Sequence, residues 1–366
     1  MAARLLFAYA STIAGATALH AHNSSSVEVA APGPCVAPGT CTAPKTKYSW
    51  VAPGVTPGQQ WNSAGGFCGA FSVQHAALPF GAWISQDLVR KANRDQPGPH
   101  YMHGDTTVGY EVMPSNVAYT AAHLRLRFEE WDYNQPKPQA PAFKKWLKAQ
   151  LAAQHPLAFF PICKGDSHQC YPDSCPNGGE CDHVEPIFGL FSNHPLSDPN
   201  IYDDDYILHA SDQDLQTYYR PINSLDDSLA MDGNCKNAGS GFGRNEMYPC
   251  FDSSVTYGLA VTGLDINGTT LFPTSVSTPG SAGEPNVRQG QPAVALSATL
   301  TVTGLTSGTN YILYRYNGTA ALPAAPPLDV GAQTKTPFTA AGTSFVHKDP
   351  LPFFSDTAVY WVTAEA

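Results

Sequence analysis

Nine cysteines, an odd number, limit how this chain can fold. In an oxidising compartment all but one of them can form disulfides, and the remaining one stays a free thiol. Local grouping leaves Cys68 alone and pairs the others: Cys35 with Cys41, Cys235 with Cys250, and Cys163, Cys170, Cys175 and Cys181 among themselves in one of three ways.

Residues 1–21 have the pattern of a secretory signal peptide, in which Arg4 is followed by an apolar stretch and then by small residues. We therefore expect a secreted protein, or one of a vacuolar or lysosomal lumen, with no membrane span left after cleavage. Sequons at Asn23, Asn267 and Asn317 are glycosylation candidates in a eukaryotic secretory pathway.

The charge of the chain excludes polyanionic partners. Its formal net charge is −10, and its 20 basic residues are scattered rather than clustered. Nucleic-acid binding and electrostatic membrane anchoring both depend on clustered Lys and Arg. We expect neither, and the oligomeric state stays open.

Composition divides the chain into a larger and a smaller part. Residues 22–50 are rich in Pro, Ser and Thr without a helical or strand period, which predicts an extended leader. Residues 51–264 form the larger expected domain. Residues 265–291, rich in Thr, Ser, Pro and Gly, are a predicted linker to a small all-β domain at residues 292–366.

In the larger part, helical patterns precede strand patterns. Apolar spacing predicts helices at 69–78, 85–93, 115–122 and 141–154, and Ser85 is suited to cap the second of them. Strands are predicted at 124–128, 157–162, 183–192, 206–211 and 255–264. Pro186 would put the 183–192 strand at an edge or a bulge. This order is typical of an α+β domain.

The smaller part alternates as antiparallel strands do, at 295–305, 310–318 and 358–364. We expect a β-sandwich. The stretch from Leu305 to Tyr311 (LTSGTNY) resembles the turn and tyrosine corner of fibronectin type III domains.

Cys68 lies where a cysteine can become a nucleophile. The segment GGFCGAFS, residues 65–72, places it between glycines and before a predicted helix. Helix N-termini favour the thiolate, and glycines let a substrate backbone approach closely. The reaction also needs a base, usually a distant histidine. We assign His183, at the start of an apolar strand, and treat His75, His209, His100 and His103 as packing or surface residues.

Three segments together resemble the bacteriocin-leader-processing branch of the papain-like cysteine peptidases. They are HPLAFF at 155–160, HVEPIFG at 183–189 and ILHASD at 207–212, all following the Cys-Gly pair that opens a helix. The resemblance covers roughly residues 58–264. It implies a papain-like α+β fold, with N-terminal helices and an antiparallel sheet, and a peptide or protein substrate.

The resemblance also implies roles for single residues. Cys68 is the nucleophile, His183 the base and later the acid, and Asp212 orients the imidazole. Asp214 and the run Asp203, Asp204 and Asp205 are the alternatives to Asp212. The family places an oxyanion-donating glutamine six residues before the cysteine, but Asn62 stands there in this chain. We assign Gln60 as the donor and keep Asn62 as the alternative.

This departure, together with Glu185 and Pro186 in a strand that the family keeps regular and apolar, leaves other functions open. One is an inactive papain-like scaffold that acts in extracellular binding or adhesion. Another is a transpeptidase or transglutaminase-like acyl transferase, because an amine can replace water at the thioester. Cys170, Cys175, Cys181 and His183 are possible zinc ligands, but they lack a tight C-x₂₋₄-C pair. We therefore expect no metal and no cofactor.

Overall fold

Four helices and sixteen strands are present in the part of the chain that the structure describes. The computed structural model describes residues 42–55, 58, 60, 66–93, 111–160, 162–164, 180–182, 184–210, 217–225, 256–266, 272, 274–277, 298–325, 328–349 and 357–365. The helices are α1 (Cys68–Ala77), α2 (Gln86–Ala92), α3 (Val117–His123) and α4 (Ala140–Ala152).

The strands are β1 (Tyr48–Val51), β2 (Ala82–Ile84), β3 (Leu126–Glu130), β4 (Leu157–Phe159), β5 (Ile162–Lys164), β6 (Glu180–Asp182), β7 (Glu185–Ser192), β8 (Tyr206–Ala210), β9 (Thr217–Pro221), β10 (Gly258–Leu264), β11 (Thr274–Ser277), β12 (Thr299–Thr303), β13 (Asn310–Tyr316), β14 (Thr334–Thr339), β15 (Ser344–Lys348) and β16 (Thr357–Ala364). The helices and the antiparallel sheets fit the expected α+β class. Within the described ranges, no helix is long and apolar enough to cross a membrane.

Helices α2 and α4 begin where the sequence predicts. Ser85 caps α2, because its hydroxyl accepts a hydrogen bond from the Leu88 N–H at 3.1 Å. A proline occupies the first turn of α4, where no intrahelical donor is needed. Phe143, Leu147 and Leu151 follow at a spacing of four and are fully buried, so α4 packs one apolar face.

The largest sheet has seven strands in the order β3-β10-β4-β7-β8-β9, and β1 also pairs with β7. Its two faces are covered by different helices. Phe143 and Leu147 of α4 pack with Ile187 of β7 on one face. Phe71 of α1 packs with Phe188 of β7 on the other. Helix α1, which begins at Cys68, is therefore buried against the middle of the sheet.

Pro186 does not put β7 at an edge, since β7 lies between β4 and β8. The alternative expectation, a bulge, is confirmed. The pairing of β7 with β8 shifts register between Ile187 and Gly189. Proline cannot donate to the ladder, and a neighbouring irregularity makes it tolerable in a central strand.

The C-terminal part contains two antiparallel sheets, one of β11-β12-β15 and one of β14-β13-β16-β2. Leu300 of β12 and Leu313 of β13 belong to one core, so both sheets contribute to it. The Tyr311 hydroxyl accepts a hydrogen bond from the Thr306 N–H at 2.8 Å. This is the contact that the tyrosine-corner pattern predicts.

Strand β2 joins the two parts of the chain. It follows α1 in the sequence but pairs with β16, so that Trp83 lies opposite Ala358. The same core continues from Ala70 and Val73 of α1 to Leu313 of β13. Residues 51–264 and 292–366, expected as separate domains, thus share a sheet and a core.

Regular structure also begins earlier than expected. Strand β1 includes residues 48–50, which composition assigned to the leader, and pairs antiparallel with the second half of β7. Trp50 lies opposite Leu190 and is partly buried against the sheet. The composition of residues 48–50 gives no sign that they pair with a strand so far away in the sequence.

Candidate functional site

Cys68 is the first residue of α1, is half-buried and is not in a disulfide. Phe67 is the N-cap residue, and its side chain makes no capping hydrogen bond. Gly66 has a φ of +67°, which favours glycine. The first N–H groups of a helix have no intrahelical partner and carry partial positive charge. The thiol is thus placed where an anion is stabilised.

Gln60 lies beside the start of this helix. It is 7 % exposed, and its Oε1 accepts a hydrogen bond from the Phe67 N–H at 3.1 Å. With its oxygen engaged one residue before Cys68, the side chain keeps an amide nitrogen as a donor. Asn62, the alternative donor, is outside the described residues.

Two charged residues that the sequence did not single out surround Gly66. Arg90 of α2 donates from Nη1 to the Gly66 carbonyl at 2.8 Å. A Cβ on Gly66 would lie 1.3 Å from Oε1 of Glu111, so this carboxyl group packs directly on the Gly66 backbone. Both residues are buried. The sequence did carry one sign of these contacts, the two glycines that flank Phe67 and Cys68. Glycines often occur where other atoms approach the backbone closely.

His183 and Asp212 lie outside the described residues, but the strands next to them are described. Ile187, near the start of β7, pairs with His209, near the end of β8. Val184, which follows His183 in the sequence, shares a core with Phe67. Ala210, the last residue of β8, packs in a cluster with Phe71 of α1.

No family model and no curated protein matches this chain.

A buried contact with a histidine accounts for Glu185, one of the departures from the pattern of the family that the sequence resembles. The Nδ1 of His209 lies 3.3 Å from Oε2 of Glu185, and both side chains are almost fully buried. His209 also stacks on Tyr218 of β9. The expectation that His209 is a packing residue fits this position.

The run of three aspartates before β8 has structural partners. Asp203 accepts from Asn223 Nδ2, and Asp204 accepts from Asn193 Nδ2. Asp205 is fully buried and lies 2.8 Å from the ammonium of Lys148. All three precede Tyr206, which pairs with Phe191 at the far end of β7 from Glu185. This separates them from the end of the sheet where β7 begins.

Of the predicted disulfide cysteines, only two lie on described strands. Cys163 of β5 pairs in register with Cys181 of β6. Directly opposite residues on antiparallel strands have the Cα spacing that a disulfide requires. Among the three possible connectivities, the register fits a pairing of these two. The other candidates lie outside the described ranges: Cys35, Cys41, Cys170, Cys175, Cys235 and Cys250.

Asn317 is the one sequon asparagine in the described ranges. It is exposed just after β13, and Arg315 Nη1 donates to its Oδ1. Within the same ranges, no three His, Cys, Asp or Glu side chains could together hold a metal ion. Of the candidate zinc ligands, only Cys181 lies in a described element, and the others (Cys170, Cys175 and His183) do not.

Proposed function

We propose that this chain is a secreted thiol hydrolase that cleaves peptide or other amide bonds through an acyl-enzyme on Cys68. One observation carries the proposal. A half-buried cysteine that is not in a disulfide opens a helix, and a glutamine amide is anchored to the residue before it. A structural thiol needs neither arrangement, whereas an acyl-transfer site needs both.

The reaction follows from these groups. The Cys68 thiolate adds to the scissile carbonyl, and the oxyanion is stabilised by the Cys68 N–H and the Gln60 amide. The C–N bond then breaks, and the leaving amine takes a proton from His183. Water, deprotonated by the same imidazole, hydrolyses the thioester and restores the thiol.

The strand register supports His183 and Asp212 as the partners of Cys68. His183 immediately precedes Val184, and Asp212 comes two residues after Ala210. Val184 belongs to a core cluster that includes Phe67, and Ala210 belongs to one that includes Phe71, so the chain leads into both segments from cores that α1 shares. Asp203, Asp204 and Asp205 come before the opposite end of β8, which favours Asp212 as the orienting carboxylate.

We further propose that the fold is papain-like, with a sandwich appended. A helix that starts at the nucleophile and lies buried on an antiparallel sheet is the arrangement that the sequence resemblance implies. The sandwich assignment rests on two small sheets with one shared core.

Hydrolysis of fluorescein-labelled casein tests the proposal. We expect Cys68→Ser and His183→Ala each to lower the initial rate by about 10³-fold or more, because members of one catalytic unit fail together. His194→Ala is the control, because His194 is a partly exposed histidine in the loop after β7, beside Asp204, and this variant should retain full activity. Casein hydrolysis that survives Cys68→Ser would contradict the proposal.

A further inference from the structure

The peptide group between Gly66 and Phe67, which leads into Cys68, is held at both of its polar ends. Arg90 Nη1 donates to its carbonyl oxygen at 2.8 Å. Its N–H donates to Gln60 Oε1 at 3.1 Å. A peptide group is planar, so two contacts at opposite edges fix the rotation of the whole unit.

Arg90 makes this contact from inside the core. Its side chain is fully buried, and the guanidinium carbon lies 4.5 Å from the centroid of the Phe67 ring. Burying a guanidinium is unfavourable unless hydrogen bonds and charge partners compensate it. A charge kept at such a position points to a role that an apolar side chain could not fill.

Glu111 fixes the other side of Gly66. Its carboxyl group occupies the space that a Cβ on Gly66 would need, so groups of opposite charge flank this residue. The Glu111 carbonyl accepts from Nδ2 of Asn116 at 2.8 Å and from Nδ2 of Asn93 at 3.5 Å. The residues that end α2 and precede α3 therefore hold the Glu111 backbone beside the Cys68 loop.

We propose that Arg90 is a positioning residue of the site, which acts through the Gly66–Phe67 peptide on the Gln60 oxyanion donor. The inference rests on the proposed function. Arg90 sets the orientation of the peptide, the peptide anchors Gln60 Oε1, and the anchored oxygen fixes where the Gln60 amide points. The Cys68 N–H belongs to the next peptide group along the backbone, so its direction also depends on the Gly66–Phe67 peptide. Without Arg90, both oxyanion donors lose their fixed direction while the thiol remains.

Two reactions of the same cysteine separate this role from general support. Casein hydrolysis forms an oxyanion, whereas alkylation of Cys68 by iodoacetamide forms none. We expect Arg90→Met to lower kcat for fluorescein-labelled casein by about 10- to 100-fold, as displaced catalytic groups do, with KM within about threefold. The alkylation rate should change by less than about threefold, and Arg90→Lys, which can still donate to Gly66, should recover part of kcat.

Arg127→Met is the matched control. Arg127 also donates to backbone carbonyls, those of Leu264 and Ile266, but it lies at the β3 edge of the sheet. We expect it to leave both rates unchanged. If Arg90→Met does not fold, the same comparison is made with Arg90→Lys, whose hydrolysis should fall more than its alkylation.

Equal losses of hydrolysis and alkylation in the Arg90 variants, or no loss in either, would overturn the inference. Failure of the proposed function has a different signature. In that case the unmodified protein would neither hydrolyse casein nor react with iodoacetamide faster than free cysteine.

Discussion

A chain that ends at residue 291 should fail to fold, although composition alone suggests that it contains a whole domain. Among the described strands, β2 is the outermost strand of its sheet and pairs there with β16 alone. Without β16, Trp83 and Ile84 lose that partner and become exposed. Exposing large apolar side chains costs about 1.5–3 kcal/mol each, and a protein's whole stability is only about 5–15 kcal/mol.

Solubility and thermal unfolding measure this effect. We expect the shortened chain to aggregate, or to unfold without a cooperative transition.

A point variant tests the same contact in the full chain: Trp83→Ala should cost about 3–5 kcal/mol of unfolding free energy. Tyr133→Ala is the control, because Tyr133 is 40 % exposed, and it should cost much less. A soluble 1–291 chain that unfolds cooperatively would show that the two parts are independent.

Replacing Gly69 by alanine should destabilise the protein and lower its activity about 100-fold, although alanine is normally the better helix former by about 1 kcal/mol. A Cβ at Gly69 would lie 2.4 Å from the Val112 carbonyl oxygen and 2.7 Å from Val112 Cβ. Contact with backbone cannot be relieved by a rotamer change. Either the start of α1 or the 111–113 segment must shift, and both position Cys68.

Thermal unfolding and casein hydrolysis should both register the change. Overpacking of this kind costs about 1–3 kcal/mol, and a displacement of about 1 Å at a catalytic group can cost about 100-fold in rate. Gly342→Ala is the matched control, since nothing lies within 4 Å of its added Cβ. A Gly69→Ala variant that is more stable than the parent protein and fully active would contradict this account.

Local signals in the sequence placed many of the main elements. Ser85 marked the start of α2, and the alternation of residues 310–318 marked β13, because caps and side-chain periods are properties of neighbouring residues. Strands β1 and β2 were missed. Each has only three or four residues and is held by a partner far away in the sequence, β7 for one and β16 for the other.

The shared sheet could not be foreseen for the same reason. The shift in composition after residue 264 is a local feature and suggests a boundary. Trp83 and Ala358 pair although they are far apart in the sequence, and neither segment alone predicts this contact. Composition detects a change of architecture, but whether the two parts share a core depends on contacts between them.

For the candidate site, sequence analysis supplied Cys68, because a cysteine between glycines is visible in one segment, and Gln60 came from the family resemblance. Arg90 and Glu111 were not found. Each is an ordinary charged residue in its own segment, and only the fold brings both to Gly66. Residues whose role depends on a tertiary contact, rather than on a sequence motif, are difficult to predict from the local sequence.

The reactivity of Cys68 in the unmodified protein tests the central claim most directly. The measurement is the rate of iodoacetamide labelling between about pH 5 and pH 9, with the modified residue located by mass spectrometry. We predict rapid labelling of Cys68 that persists near pH 6, where an ordinary thiol, with a pKa of about 8.5, is almost entirely protonated. His183→Ala should abolish this reactivity at low pH. Labelling of Cys68 that is slow at pH 6 and rises only near pH 8.5, or a Cys68 found in a disulfide, would contradict the assignment of a catalytic thiol.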